Sequence, residues 1–206
     1  MIPTPQEINA ATVSEIPKHD AVAMVVEHHY LHRKPPISYA YGFMRDDAWR
    51  GVVTFGVPPS RHLQKSLCPS DPDLVIELNR LFVYDSEPRN TESWFVARAL
   101  NLMPPRIVVS YADLSRGHVG YIYRALNFNY AGWTDMDRKT PRYDYIPARS
   151  GAHTRDAFRE GYVDRVRRTP KVKYWTVTGN KKERKLLSTL CRWPILDWNE
   201  VPPPCP

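Results

Sequence analysis

The side chains best suited to chemistry fall into three groups along the 206-residue chain. The first holds imidazoles, phenols and a carboxyl: His29, Tyr30, Asp113, His118, Tyr123 and Tyr130. Placed beside a reacting group, such side chains give or take protons. His28-His29-Tyr30 closes the first helical pattern. Adjacent imidazoles on a helix face different ways, so at most one points into a site. The competing role for His29 is a cap at the helix C-terminus, where the dipole favours it. Asp113 follows a short apolar strand, where functional carboxylates of α/β sheets often stand; it also suits a plain turn. His118 lies near the start of the next helical pattern, where a partner can tune its protonation, or it is a surface cap. Tyr123 and Tyr130 suit a general acid, a stacking platform or a core.

The second group flanks a strand-to-helix junction: Arg80, Arg89, Asn90 and Ser93. Free amides at a helix N-terminus suit a pyrophosphate. The intervening Asp85-Ser86-Glu87-Pro88-Arg89-Asn90 carries two acids and no glycine, and acids repel phosphate. The plainer alternative makes Asn90 and Ser93 simple caps and Arg80 a surface residue.

The third group is basic: His153, Arg155, Arg165, Arg167, Arg168, Lys171 and Lys173, interleaved with aromatics that include Tyr143, Tyr174 and Trp175. Cations contact phosphates, and aromatics stack on exposed bases. Net charge is +7, unevenly placed. Residues 1–105 hold 10 Lys/Arg and 12 Asp/Glu, whereas 106–206 hold 19 and 10. This asymmetry points to a polyanion, nucleic acid foremost. A solvated basic surface is the alternative.

The elements that position these residues are marked by the chain's 20 prolines. A helix is predicted after Pro17, ending near His29. Strands at 39–44 and 52–57 form a hairpin about Asp46-Asp47, and 58–72 is an exposed loop. A strand at 74–84 leads to a helix capped by Asn90 or Thr91. A strand at 107–111 precedes a helix at 117–127, with Gly117 and Gly120 on one face. A strand opens at Tyr130. Residues 138–206 are less regular. The expected class is a mixed α/β sheet flanked by helices, with a core at 1–137 and a basic C-terminal extension at 138–206 packed on it. No apolar run is long enough to span a membrane, and no signal peptide is read, so a cytoplasmic protein is expected. Cys68, Cys191 and Cys205 lie too far apart for a metal-ligand pair, which fits a reducing compartment.

Two segments carry a family resemblance. The first is Leu78-Asn79-Arg80-Leu81-Phe82-Val83 with Pro88-Arg89-Asn90-Thr91-Glu92-Ser93-Trp94-Phe95. The second is Tyr111-Ala112-Asp113 with Gly117-His118-Val119-Gly120-Tyr121-Ile122-Tyr123-Arg124-Ala125-Leu126-Asn127-Phe128-Asn129-Tyr130-Ala131-Gly132. Lys173-Tyr174-Trp175 and Gly179-Asn180-Lys181-Lys182-Glu183-Arg184-Lys185 add to them. Together they resemble the bacteriophage Mom family of adenine-modification proteins. The resemblance implies a GNAT-type N-acetyltransferase fold. It also implies an acyl-CoA donor such as acetyl-CoA, with the pyrophosphate at the strand-to-helix junction. The implied reaction places a carbamoylmethyl-type group on N6 of adenine in DNA, protecting phage DNA from restriction in the infected bacterial host cell. Plain acetyl transfer cannot make that product, so another step or donor is required. Iron is associated with the family, and a His, a Tyr and a carboxylate are its candidate ligands. Monomer and dimer both remain open. Two rival activities stand beside this one: N-acetylation of protein or small-molecule amines, and non-catalytic DNA binding that masks restriction sites.

Overall fold

The computed structural model describes residues 11–135, 138–147 and 163–202. A seven-stranded sheet runs in the order β1-β2-β3-β4-β5-β9-β6. Its strands are β1 (Thr12–Glu15), β2 (Tyr39–Arg45), β3 (Ala48–Gly56), β4 (Val75–Val83), β5 (Ile107–Asp113), β6 (Asn129–Trp133) and β9 (Lys171–Val177). The expected hairpin is β2–β3. Asp46 and Asp47 both take positive φ (51° and 55°). Two such residues in a two-residue turn match the right-handed twist of the flanking strands.

Helices cover both faces. On one side α1 (Lys18–His28) buries Ala21 and Val25 against Ile16, Ala40 and Val52. On that side too, α2 (Arg61–Leu67) and α5 (Lys181–Leu190) cover Val75, Ile107, Val109 and Trp175 with Leu67 and Leu187. On the other side α3 (Thr91–Leu102) seats Phe95, Val96 and Ala99 against Phe43, Phe55, Ile76 and Leu78. The strands therefore alternate between two cores, Val75 to one and Ile76 to the other, as period two demands. Beside α3 stands the short α4 (Tyr121–Ala125).

The feature that makes a site is the parting of β4 and β5. They pair in parallel only from Val75↔Ile107 to Glu77↔Val109. Beyond this, β4 continues with β3 to Val83, and β5 continues with β9 to Asp113. Asn79 is the extra residue of a bulge opposite Thr54 and Phe55, and a bulge bends its strand. The bulge is pinned by Thr54 Oγ1 donating to Asn79 Oδ1 (2.6 Å) and Asn79 Nδ2 donating to the Pro36 carbonyl (2.7 Å). Ser110 Oγ bridges the apex, 3.0 Å from the Leu78 carbonyl.

Several expectations need correction. The stretch 58–72 contains α2, started by Ser60, whose hydroxyl accepts from the Leu63 amide. The helix expected at 117–127 shrinks to α4, because Gly117 (φ 71°) and Gly120 (φ 86°) are left-handed and break it. A Cβ on Gly120 would stand 2.5 Å from the Tyr174 ring, so this glycine serves close packing rather than a helical face. Asn90 is left-handed too (φ 72°) and makes no side-chain cap. The sheet also takes β9 from beyond the boundary drawn at 137 and seats it between β5 and β6. Residues 171–177 thus belong to the main sheet rather than to a layer upon it.

Candidate active site

Glu77 stands where β4 and β5 part. Burial pushes its carboxyl up to about 7, against the opposing pull of Arg80 and Lys171. On β5, the Tyr111 phenol is driven far up by burial and by the Glu77 charge. Tyr123, from α4, reaches the same place. Its hydroxyl lies 2.7 Å from Ser110 Oγ, and burial pushes it up to about 12. Arg80, three residues beyond Glu77 and just past the bulge, gives Nη1 to the Asn79 carbonyl at 2.5 Å. Burial lowers its affinity for its proton, opposed by Tyr30 and Glu77. A carboxyl held near neutrality is suited to accept a proton at physiological pH.

His29 and Tyr30 form the wall facing this apex. His29 is only 7% exposed and stacks on Tyr30 with ring centroids 4.4 Å apart. Its Nδ1 accepts the Leu31 amide at 3.2 Å. Burial, then the charges of Arg80, His32 and His118, bring its pKa down to about 4. The ring is therefore neutral at pH 7, with its proton on Nε2. It offers a donor to the cleft rather than a free base. Tyr30 is 44% exposed, with the His118 ring edge-on at 6.2 Å and the Arg116 guanidinium 5.5 Å from its centroid.

The low pKa of His29 has a measurable consequence. The unfolded chain binds a proton here below about 6.5, the folded chain only below about 4. Stability is therefore fully present above pH 6.5 and lost as pH falls towards 4, by up to about 3 kcal/mol. Urea titrations across this range should show His29→Gln losing less stability than wild type on acidification. An unchanged acid dependence would place the proton elsewhere.

The donor side lies at the N-terminus of α3. A cavity of about 530 Å³ there is lined by Tyr84, Arg89, Asn90, Ser93, Tyr121 and Ile122 among others. First-turn amides of a helix have no acceptor within it and favour an anion. The expected repulsion from Glu87 does not arise: its side chain is 1% exposed and is paired with Arg45 Nη2 at 2.9 Å, with Arg50 Nε at 3.9 Å. Asp85 and Glu92 also line the cavity, so Arg89 and the first-turn amides share it with two carboxylates that are not buried. If an acyl-CoA binds here, Arg89 and the α3 first-turn amides are the groups that would hold its anionic end. Ser93 Oγ donates to the Asn90 carbonyl at 2.9 Å, and Arg80 belongs to the Glu77 cluster rather than to this cavity.

The remaining candidates are not brought together with these. Asp113 accepts from Ser115 Oγ (2.6 Å) and pairs with Lys171 (3.1 Å). Burial would raise its carboxyl, but Ser115 and Lys171 outweigh it and hold it low. Tyr130 is buried in the core, where its hydroxyl donates to the Glu200 carbonyl at 3.3 Å. Trp175 is 3% exposed, with Nε1 donating to the Pro194 carbonyl at 3.4 Å, so it cannot stack on a base without leaving the core. Lys173 Nζ lies 5.0 Å from the Trp193 ring centroid. Arg165, Arg167 and Arg168 are exposed. His153 and Arg155 lie outside the described residues. Among the described residues no three His, Cys, Asp or Glu side chains gather as a metal site. Glu77 was missed; its signal was a lone carboxylate inside the apolar run Val75-Ile76-Glu77-Leu78.

Comparison with known proteins places this site in context. Over 62 residues the chain is 40% identical to the methylcarbamoylase Mom of Escherichia phage Mu, a stretch of 28% of this chain. The match spans about a quarter (26%) of that relative's length. In architecture the chain is similar to an N-acetyltransferase from Staphylococcus aureus Mu50, with TM-score 0.45 and 13% identity over 80% of this chain and 96% of that one. It is also similar to a GNAT-family acetyltransferase from Bacillus cereus ATCC 10987, with TM-score 0.47 and 11% identity over 82% and 99%. The sequence profile of the Mom protein family matches residues 10–187, from before β1 into α5 and across the whole Glu77 cleft, and the chain belongs to that family.

Proposed function

We propose that this protein is a transferase that attaches an acyl-derived, carbamoylmethyl-type group to N6 of adenine in DNA. The observation that carries the reading is Glu77, a carboxyl poised at about 7 where β4 and β5 part, with Arg80 and Lys171 as its charged neighbours. The phage Mu relative, a methylcarbamoylase, supports the group transferred. The excess of cations after residue 105 supports DNA as the acceptor.

The exocyclic amine of adenine shares its lone pair with the ring and is a weak nucleophile. A base is needed to remove its proton as the new N–C bond forms. An acyl-CoA held at the α3 N-terminus would supply a thioester carbonyl carbon and a thiol leaving group, and that transfer forms an N6-acyl adenine; the carbamoylmethyl product needs a further step or a second donor beyond this transfer. Glu77 takes the amine proton, and its charge is then cancelled rather than left buried. His29 covers one face of the half-exposed Tyr30 ring and Arg116 lies over the ring, so an extruded base stacks there by displacing the Arg116 guanidinium, and His29 Nε2–H is a donor for that base or for the developing charge. Tyr123, kept protonated by burial, can return a proton to the leaving group.

The rival is a protein that only masks DNA. Purified DNA from expressing cells separates the two. A modifier leaves naked DNA resistant to restriction enzymes whose sites contain adenine. Resistance that vanishes when protein is stripped away would sink the transferase reading.

A further inference from the structure

Between β6 and β9 the chain leaves the sheet and forms a two-stranded antiparallel ribbon, β7 (Tyr143–Pro147) with β8 (Val163–Arg167). The register runs from Tyr143↔Arg167 to Pro147↔Val163. Asp164, Arg165, Val166 and Arg167 are all exposed. Successive strand residues face opposite ways, so neither face of β8 is covered by the body of the protein. An isolated two-stranded ribbon is marginal in water, and nothing about the core calls for this one.

The base of the ribbon is held firmly. The Thr134 amide donates to the Lys171 carbonyl at 2.8 Å, and the Lys171 amide donates to Thr134 Oγ1 at 2.9 Å. The Arg168 amide donates to the Arg142 carbonyl at 2.9 Å. Asp135 ties the same place to Arg138 (3.1 Å) and Arg142 (3.4 Å). This root adjoins the Asp113–Lys171 pair, and the Lys171 charge is felt at Glu77. The arm thus springs from the end of the sheet where the Glu77 cleft opens. Its β8 side chains alternate in chemistry: Arg165 and Arg167 lie on one face, Asp164 and Val166 on the other. The Arg165 guanidinium covers the Tyr143 ring at 3.7 Å, which fixes a cation on that face.

We infer that the β7–β8 ribbon enters the major groove of duplex DNA, with the Arg165–Arg167 face on phosphates and base edges. The inference rests on the adenine reading above and deepens it. A two-stranded ribbon fits the width of the major groove, and that groove is the one that displays adenine N6. A ribbon lodged there and rooted beside the cleft mouth sets the distance between the body and the target base.

The test is fluorescence anisotropy of a labelled duplex oligonucleotide, needing neither donor nor turnover. Wild type and Arg165→Gln/Arg167→Gln are compared across a salt series, with thermal melting as the control for folding. The double variant should melt like wild type. It should bind more weakly by roughly tenfold or more at moderate salt, with a log–log slope shallower by about 2. Methyl green, which occupies the major groove, should displace the wild type, and netropsin, which occupies the minor groove, should not. Double-stranded RNA should compete poorly, because its major groove is too deep and narrow to admit the ribbon. Unchanged affinity and slope in the double variant, displacement by netropsin alone, equal competition by RNA, or no duplex binding by wild type at low salt would each overturn the ribbon assignment. The adenine reading is judged separately, on the nucleosides of DNA from expressing cells.

Discussion

Glu77→Gln should leave a folded protein whose DNA-modifying activity is lower by roughly 100- to 10,000-fold, the usual loss when a positioned general base is removed. The amide keeps the shape of the carboxyl but cannot accept the amine proton. The wild-type rate should rise with pH through about 7, where Glu77 ionises, and the residual rate of the variant should lack that step. Stability should move the other way. The folded chain holds this proton up to about 7, whereas an ordinary glutamate releases it near 4.5. The folded state therefore binds the extra proton between these values, and stability falls as pH rises through them, by up to about 3 kcal/mol. Glu77→Gln escapes this loss, so urea titrations near pH 8 should find it no less stable than wild type. The drift opposes that of His29, which loses stability as pH falls. Wild type should consequently be flatter between about 5 and 6 than either single variant. Full activity in a folded Glu77→Gln protein would remove Glu77 from the chemistry.

Glu87→Ala should be the most damaging change at the donor side. The carboxylate is almost wholly buried and answers Arg45 at 2.9 Å with Arg50 close by. Taking it away leaves two partly buried guanidiniums without their counter-charge, and breaking a buried pair in this way costs about 3–5 kcal/mol. Chemical denaturation should show a loss of that size. The loop from Tyr84 to Asn90 should loosen with it, and donor affinity should fall along with stability. Arg89→Ala offers the contrast: Arg89 is exposed, so the fold should be unaffected while the anionic end of the donor loses a contact. A Glu87→Ala protein as stable as wild type would mean that the triad contributes nothing to holding the loop.

The main strands were readable because their apolar runs and turns are local signals. The β2–β3 hairpin follows from apolar runs either side of Asp46-Asp47, and α3 from the spacing of Trp94, Phe95, Ala97, Leu100 and Leu102, although the residues it buries are Thr91, Phe95, Val96 and Ala99. What was not readable depends on contacts far apart in the chain. The entry of β9 between β5 and β6 is set by pairing with Ile107–Asp113, which no local pattern encodes. Trp175 sat among cations and was taken for a stacking residue, yet alternation in β9 turns it inward to meet Val109 across the strands. The helix at 117–127 failed because two glycines adopt left-handed backbone, one of them to let Tyr174 pass. In the site, His29, Tyr30, His118 and Tyr123 were named and do converge on one cleft. Glu77 was passed over as part of a strand. Its importance comes from where β4 and β5 separate, and the bulge at Asn79 that bends β4 there is a property of the paired sheet.

The central claim is that this cleft places a group on adenine in DNA with Glu77 as the proton acceptor. Mass spectrometry of nucleosides tests it most directly, using digested DNA from cells making either wild type or Glu77→Gln at equal levels. The wild-type sample should contain a deoxyadenosine heavier than normal, nearly absent from the variant's. Only the four normal nucleosides under good wild-type expression, or equal modification by the two proteins, would contradict it.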